Sequence, residues 1–98
     1  MLHLVHVIHQ DIASLVDLIQ VKWTIAPNPT NGNFTVNTSI DASYNLSIFN
    51  MTGQEIVRTL VDGGDFKGNT NSLSMAPGVY VIEISTNGIT DRKRLVVQ

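Results

Sequence analysis

The sequence predicts an all-β domain of about seven antiparallel strands folded as an immunoglobulin-like sandwich, preceded by a short N-terminal extension. Three observations carry that prediction. Short β-rich runs are punctuated by turn residues every eight to twelve positions from Val21 onward, the spacing of a sandwich or barrel. The connecting segments are too short for parallel crossovers. Finally, the chain changes composition after Trp23: residues 1–23 lack Gly, Pro, Asn and Thr, while residues 24–98 hold every Gly, every Pro and all nine Asn.

The extension, residues 1–21, is read as a separate segment or the remnant of a preceding cargo domain. Leu4, Val5, Ile8, Ile12, Leu15, Val16 and Ile19 step by three and four, the period of one helix face. This predicts an amphipathic helix over residues 2–20, with a strand over Leu2–Ile8 as the alternative because β-branched residues lower helix propensity. The second unit, residues 22–98, is the β domain. Val21–Ala26 is its first strand, stopped by Pro27-Asn28-Pro29, where two prolines deny the ladder its donors. Asn31-Gly32 turns the chain into Phe34–Thr38, and Asn45–Asn50 forms the third strand. Thr52-Gly53 leads to Glu55–Val61, with Ile56, Arg58 and Leu60 on one face and Val57, Thr59 and Val61 on the other.

After the loop Asp62-Gly63-Gly64-Asp65, the fifth strand is expected at Asn71–Met75, carrying Leu73. Pro77-Gly78 then opens a hairpin: Val79–Thr86 and Ile89–Val97 flank Asn87-Gly88, a pair suited to the positive φ angles of a type I′ turn. Tyr80, Ile82 and Ile84 are expected to face inward, with Leu95 and Val97 beside them.

Composition excludes several functions. Six Lys and Arg against eight Asp and Glu give a formal charge of -2, opposite in sign to what phosphate contacts require, so no nucleic-acid partner is expected. With no cysteine, disulfides, thiolate zinc sites and thiol nucleophiles are all absent. No apolar run is long enough for a transmembrane helix. No signal peptide is visible, since Lys22 is the first basic residue and His6, His9, Gln10 and Asp11 interrupt the apolar stretch; read alone, the chain starts in the cytoplasm.

Candidate chemistry is sparse. His3, His6 and His9 do not converge on a helix or a strand, and are read as solvated or partner-facing. There is no G-x-S-x-G elbow and no phosphate-binding glycine loop, so no enzyme activity and no cofactor are expected. Asp62, Asp65, Asn69 and Asn71 place oxygen ligands near glycines, but their spacing is not an EF-hand's and turns use the same residues. Arg92-Lys93-Arg94 is the one basic run, read as keeping an edge strand soluble and unpaired. The N-x-[ST] triplets at Asn33, Asn37, Asn45 and Asn50 carry no weight in a chain this rich in Asn, Ser and Thr.

Four motifs nevertheless recur in a recognisable combination: Pro27-Asn28-Pro29-Thr30-Asn31-Gly32 before Phe34-Thr35-Val36; Leu46 to Glu55 with Asn50 and Gly53; Leu73 with Ala76-Pro77-Gly78-Val79-Tyr80; and Lys93-Arg94-Leu95-Val96-Val97. Over residues 22–98 their order and spacing resemble the type A C-terminal sorting domain of the type IX (Por) secretion system of Bacteroidota. The resemblance implies a non-catalytic secretion signal, attached to a cargo domain in a full-length parent. It implies transit through the periplasm, recognition by the type IX translocon, export to the outer-membrane surface or medium, and removal by a sortase-like protease cutting around Asp17 to Trp23. It also implies that recognition uses exposed strand edges and the carboxyl terminus. Ala26 stands where the family commonly has an aromatic, with Trp23 as the expected packing substitute, and Gln98 stands where a basic residue is frequent. The alternative from the residues alone is a structural or carbohydrate-binding adhesive module of fibronectin or immunoglobulin type.

Overall fold

The computed structural model describes residues 22–98. The helix expected over residues 2–20, its strand alternative and the three histidines lie outside the described residues. Seven strands follow in order: β1 (Trp23–Ala26), β2 (Asn33–Thr38), β3 (Tyr44–Phe49), β4 (Glu55–Val61), β5 (Phe66–Asn69), β6 (Gly78–Thr86) and β7 (Ile89–Val97). They form a three-stranded sheet, β1-β2-β5, and a four-stranded sheet, β4-β3-β6-β7. Every strand pairing is antiparallel. First, second and fifth strands in one sheet, with third, sixth and seventh adjacent in the other, is the immunoglobulin-like arrangement.

Alternation along the strands builds the core between the sheets. Trp23, Phe34 and Val36 come from the smaller sheet; Tyr44, Leu46, Ile48, Tyr80, Ile82, Ile84, Leu95 and Val97 come from the larger one, and Met75 closes the cluster from the loop before β6. The inward set expected for the β6–β7 hairpin is buried throughout. Thr86 pairs with Ile89 across Asn87 (φ 51°) and Gly88 (φ 78°), the left-handed pair of a type I′ turn.

Two expectations are corrected. The fifth strand is Phe66–Asn69, not Asn71–Met75. Phe34 faces Gly68 across the β2–β5 ladder, and a Cβ at residue 68 would sit inside the Phe34 ring. Only glycine lets this backbone come so close. Residues 71–74 instead form a turn: Asn69 Oδ1 accepts from the amides of Asn71 (2.9 Å) and Ser72 (3.0 Å), and the Leu73 amide donates to the Asn69 carbonyl. Leu73 still packs against the core. The second correction concerns β4. Ile48 pairs with Val57 but Phe49 pairs with Glu55, leaving Ile56 as the extra residue of a β-bulge. Ile56 therefore packs against the core and leaves the face it was expected to share with Arg58 and Leu60, which are exposed.

Candidate functional site

The strand registers gather the sequence motifs at one end of the sandwich. Pro27-Asn28-Pro29 leaves β1 and runs beside the last residues of β7. There the Asn28 carboxamide imitates a strand backbone: its Nδ2 donates to the Arg94 carbonyl at 2.8 Å and its Oδ1 accepts from the Val96 amide at 2.9 Å. Thr30 continues the contact in main chain, its amide donating to the Val96 carbonyl and its carbonyl accepting from the Gln98 amide, each at 2.9 Å. Its buried hydroxyl donates to the Asn33 carbonyl and accepts from the Gly32 amide. The first and last motifs thus form a single structure.

The other two motifs adjoin it. Gly78 pairs with Val97 and Tyr80 with Leu95, and the Tyr80 hydroxyl donates to the Ala76 carbonyl at 2.6 Å. A sixth-strand tyrosine bonded to backbone just upstream is the tyrosine corner of immunoglobulin-like domains. At the β3–β4 turn, Asn50 Oδ1 accepts from the amides of Thr52 and Gln54 and from the Thr52 hydroxyl, with Gly53 at φ 84°. This turn adjoins the hairpin because Phe49 pairs with Val81, which pairs with Arg94. Of the four motifs' residues, Lys93 lies mid-strand, paired with Ile82, and its ammonium reaches toward Trp23 at the opposite end.

At that opposite end the first strand is tied to the last. Trp23 is buried, its Nε1 donates to Asp91 at 2.8 Å, and Lys93 Nζ lies 5.4 Å from the ring centroid, within cation–π range. Trp23 and Ile25 face the core while Ala26, of opposite parity, is exposed. Trp23 therefore does not fill the position of an aromatic at residue 26. Tyr44 donates its hydroxyl to the Gly64 carbonyl at 2.6 Å. Burial pushes its pKa up, and the Asp65 carboxylate adds to the shift.

The oxygen ligands around the glycine loop are dispersed. Asp65 accepts from the Thr38 amide and Asp62 faces Ser43, while Asn69 bonds Asn33 and its own turn at the far end of β5. Among the described residues no group of three or more His, Cys, Asp and Glu is placed to hold a metal ion, and no helix is long and apolar enough to cross a membrane. The basic run divides: Arg92 pairs with Glu83 at 2.6 Å, Lys93 covers Trp23, and Arg94 has no acidic partner among the described residues. Sequence reasoning included Thr30 in the first motif without giving it a role, and missed Asp91, which carries no local signal because it acts on a strand distant in sequence.

A family model described as a secretion system C-terminal sorting domain matches residues 24–98. No curated protein matches the chain. Among solved structures, PorZ, an essential bacterial surface component of the type IX secretion system of Porphyromonas gingivalis, is similar with a TM-score of 0.67 and 20% identity. The alignment covers 78% of this chain and 11% of PorZ, and at that identity the likeness is one of fold.

Proposed function

The chain belongs to the type A C-terminal sorting domains of the type IX secretion system of Bacteroidota, and from that membership we propose that residues 22–98 are read by the type IX translocon as the export label of a cargo joined upstream. The observation that carries this reading is the match across all seven strands, residues 24–98. Domains of this family are generally non-catalytic, and a signal of this kind implies export to the cell surface or the medium. In this reading residues 1–21 are an extension or the end of the cargo, and the passage runs through the periplasm.

Removal by a sortase-like protease belongs to the same proposal. A scissile bond upstream of β1, around Asp17 to Trp23, fits a module whose first strand begins at buried Trp23. The motif residues Pro27, Asn28, Pro29, Gly32, Asn50, Gly53, Leu73, Gly78 and Tyr80 lie near Arg94, Leu95, Val96 and Val97, with Lys93 on the same strand, and partner recognition is proposed to use the exposed strand edges and carboxyl terminus of the domain that they build. The adhesive-module alternative has less support. Trp23, Phe34, Tyr44 and Tyr80 are buried, leaving no flat aromatic platform of the kind that stacks on sugars.

The test is a fluorescent reporter with a periplasmic leader, fused ahead of the chain, in a Bacteroidota host with and without a working type IX translocon. Surface or extracellular reporter only in the strain with the translocon is expected. Periplasmic retention of an intact, folded fusion in both strains overturns the sorting role, and specific binding on a glycan array then favours the adhesive one.

A further inference from the structure

The outer edge of β7 is divided into a guarded and an open half. In an antiparallel ladder, alternate residues turn both backbone groups away from the partner strand. Val96 shows which set this is in β7, since its amide and carbonyl bond Asn28 and Thr30 instead of β6. The register with β6 is continuous from Ile89 to Val97, so the outward set is Thr90, Arg92, Arg94 and Val96. From Arg94's carbonyl to Gln98, the edge is closed by Asn28 and Thr30. Ahead of that clamp, the Arg92 amide bonds only the neighbouring Asp91 side chain. Both groups of Thr90, the Arg92 carbonyl and the Arg94 amide have no backbone partner among the described residues.

The other edges are poorer templates. β1 and β5 have four residues each, and the bulge at Ile56 kinks the start of the β4 edge. The open half of β7 belongs to a nine-residue strand, and its side chains select the occupant. A second copy added antiparallel about Arg92 sets Arg92 against Arg92, and like charges directly opposite are destabilising. An incoming strand with acidic side chains meets Arg94, which is exposed and without an acidic partner among the described residues.

We infer that Thr90–Arg94 is a docking edge that takes an extended, acidic segment of a partner protein as an added strand, and that the Asn28–Thr30 clamp sets where that strand must stop. Main-chain bonds then supply affinity and the alternate side chains supply selection, as in other strand-addition complexes. Within the basic run, Arg92 opposes self-pairing about its own position, and Arg94, the charge without an acidic partner among the described residues, attracts a partner of opposite charge. The inference rests on the sorting reading, with the partner strand belonging to the export machinery.

The test uses the full chain in the reporter fusion. Proline at an outward-facing position removes an edge donor and obstructs an incoming strand, yet breaks no main-chain bond to β6; Thr90→Pro also loses the Thr90 hydroxyl's bond to Ser85, whereas Arg94→Pro loses no side-chain bond. Thr90→Pro and Arg94→Pro are each expected to lower surface export at least tenfold while the purified chain keeps a cooperative thermal transition. Arg94→Glu, with the backbone donor intact, is expected to lower export similarly by charge alone and serves if a proline variant fails to fold. A photo-crosslinker at residue 90 is expected to capture a host protein, and one at residue 60 on the β4 edge is not. Undiminished export of folded Arg94→Pro and Arg94→Glu overturns the docking edge, as does a crosslink from residue 90 only to a second copy of the chain. Failure of the unsubstituted chain to be exported overturns the sorting reading instead, so the two failures are distinct.

Discussion

Tyr44 and Asn28 each use one polar group to hold a loop to the sandwich, and their different exposure makes them respond differently to substitution. The Tyr44 ring is in the core and its hydroxyl donates to the Gly64 carbonyl. Deprotonation would leave a phenolate facing that carbonyl and the Asp65 carboxylate, so burial first and Asp65 second raise its pKa. The folded state then holds the proton more tightly than the unfolded state. The resulting stability is complete below the ordinary tyrosine value of about 10 and is lost as the pH rises through the higher folded value. Denaturant unfolding of Tyr44→Phe is expected to show a loss of about 1 kcal/mol near neutrality and a shallower decline than the unsubstituted chain above about pH 10. Parallel curves would refute the assignment. Asn28 is exposed, so Asn28→Ala returns the Arg94 carbonyl and Val96 amide to water and costs only about 1–2 kcal/mol. Asn28→Asp keeps the acceptor for Val96 but turns an oxygen toward the Arg94 carbonyl. Urea midpoints near neutral pH are expected to place it at or below Asn28→Ala, with recovery in acid when the carboxyl can donate.

At the scale of elements, legibility followed locality. The β6–β7 hairpin could be read because apolar alternation and Asn87-Gly88 both lie in adjacent sequence and agree. β5 could not. Phe66-Lys67-Gly68-Asn69 offers one apolar residue and a glycine, which reads as loop, and the strand exists because the Phe34 ring on β2 occupies the space over Gly68. Leu73, expected on a strand, packs against the core from a turn instead, because the Asn69 side chain turns the backbone there. The bulge at Ile56 left no mark for a period-two count to find. The motif residues of the candidate site were visible as a combination, whereas the bonds that join them were not: Asn28 reaches Arg94 and Val96 across more than sixty positions.

At the scale of the whole molecule, the strand offered for recognition also closes the core, and this limits what truncation can reveal. Removing Lys93–Gln98 deletes Leu95, fully buried, and Val97, 4% exposed. It also strips Asn28 and Thr30 of their partners and takes the Lys93 ammonium from Trp23. Losing two core side chains costs about 2–5 kcal/mol each, against a total stability of about 5–15 kcal/mol for a domain of this size. The truncated chain is expected to lose its cooperative thermal transition by circular dichroism and to become sensitive to protease. Loss of export after that deletion would then report unfolding as much as lost recognition. Removing Gln98 alone breaks one main-chain bond to Thr30 and is expected to cost about 1 kcal/mol while leaving the fold intact. A cooperative melt in the longer truncation would show that the sandwich closes without its last strand, and recognition could then be mapped by deletion. If the melt is lost as expected, only substitutions on the outward-facing residues of β7 can separate what the strand holds together from what it presents.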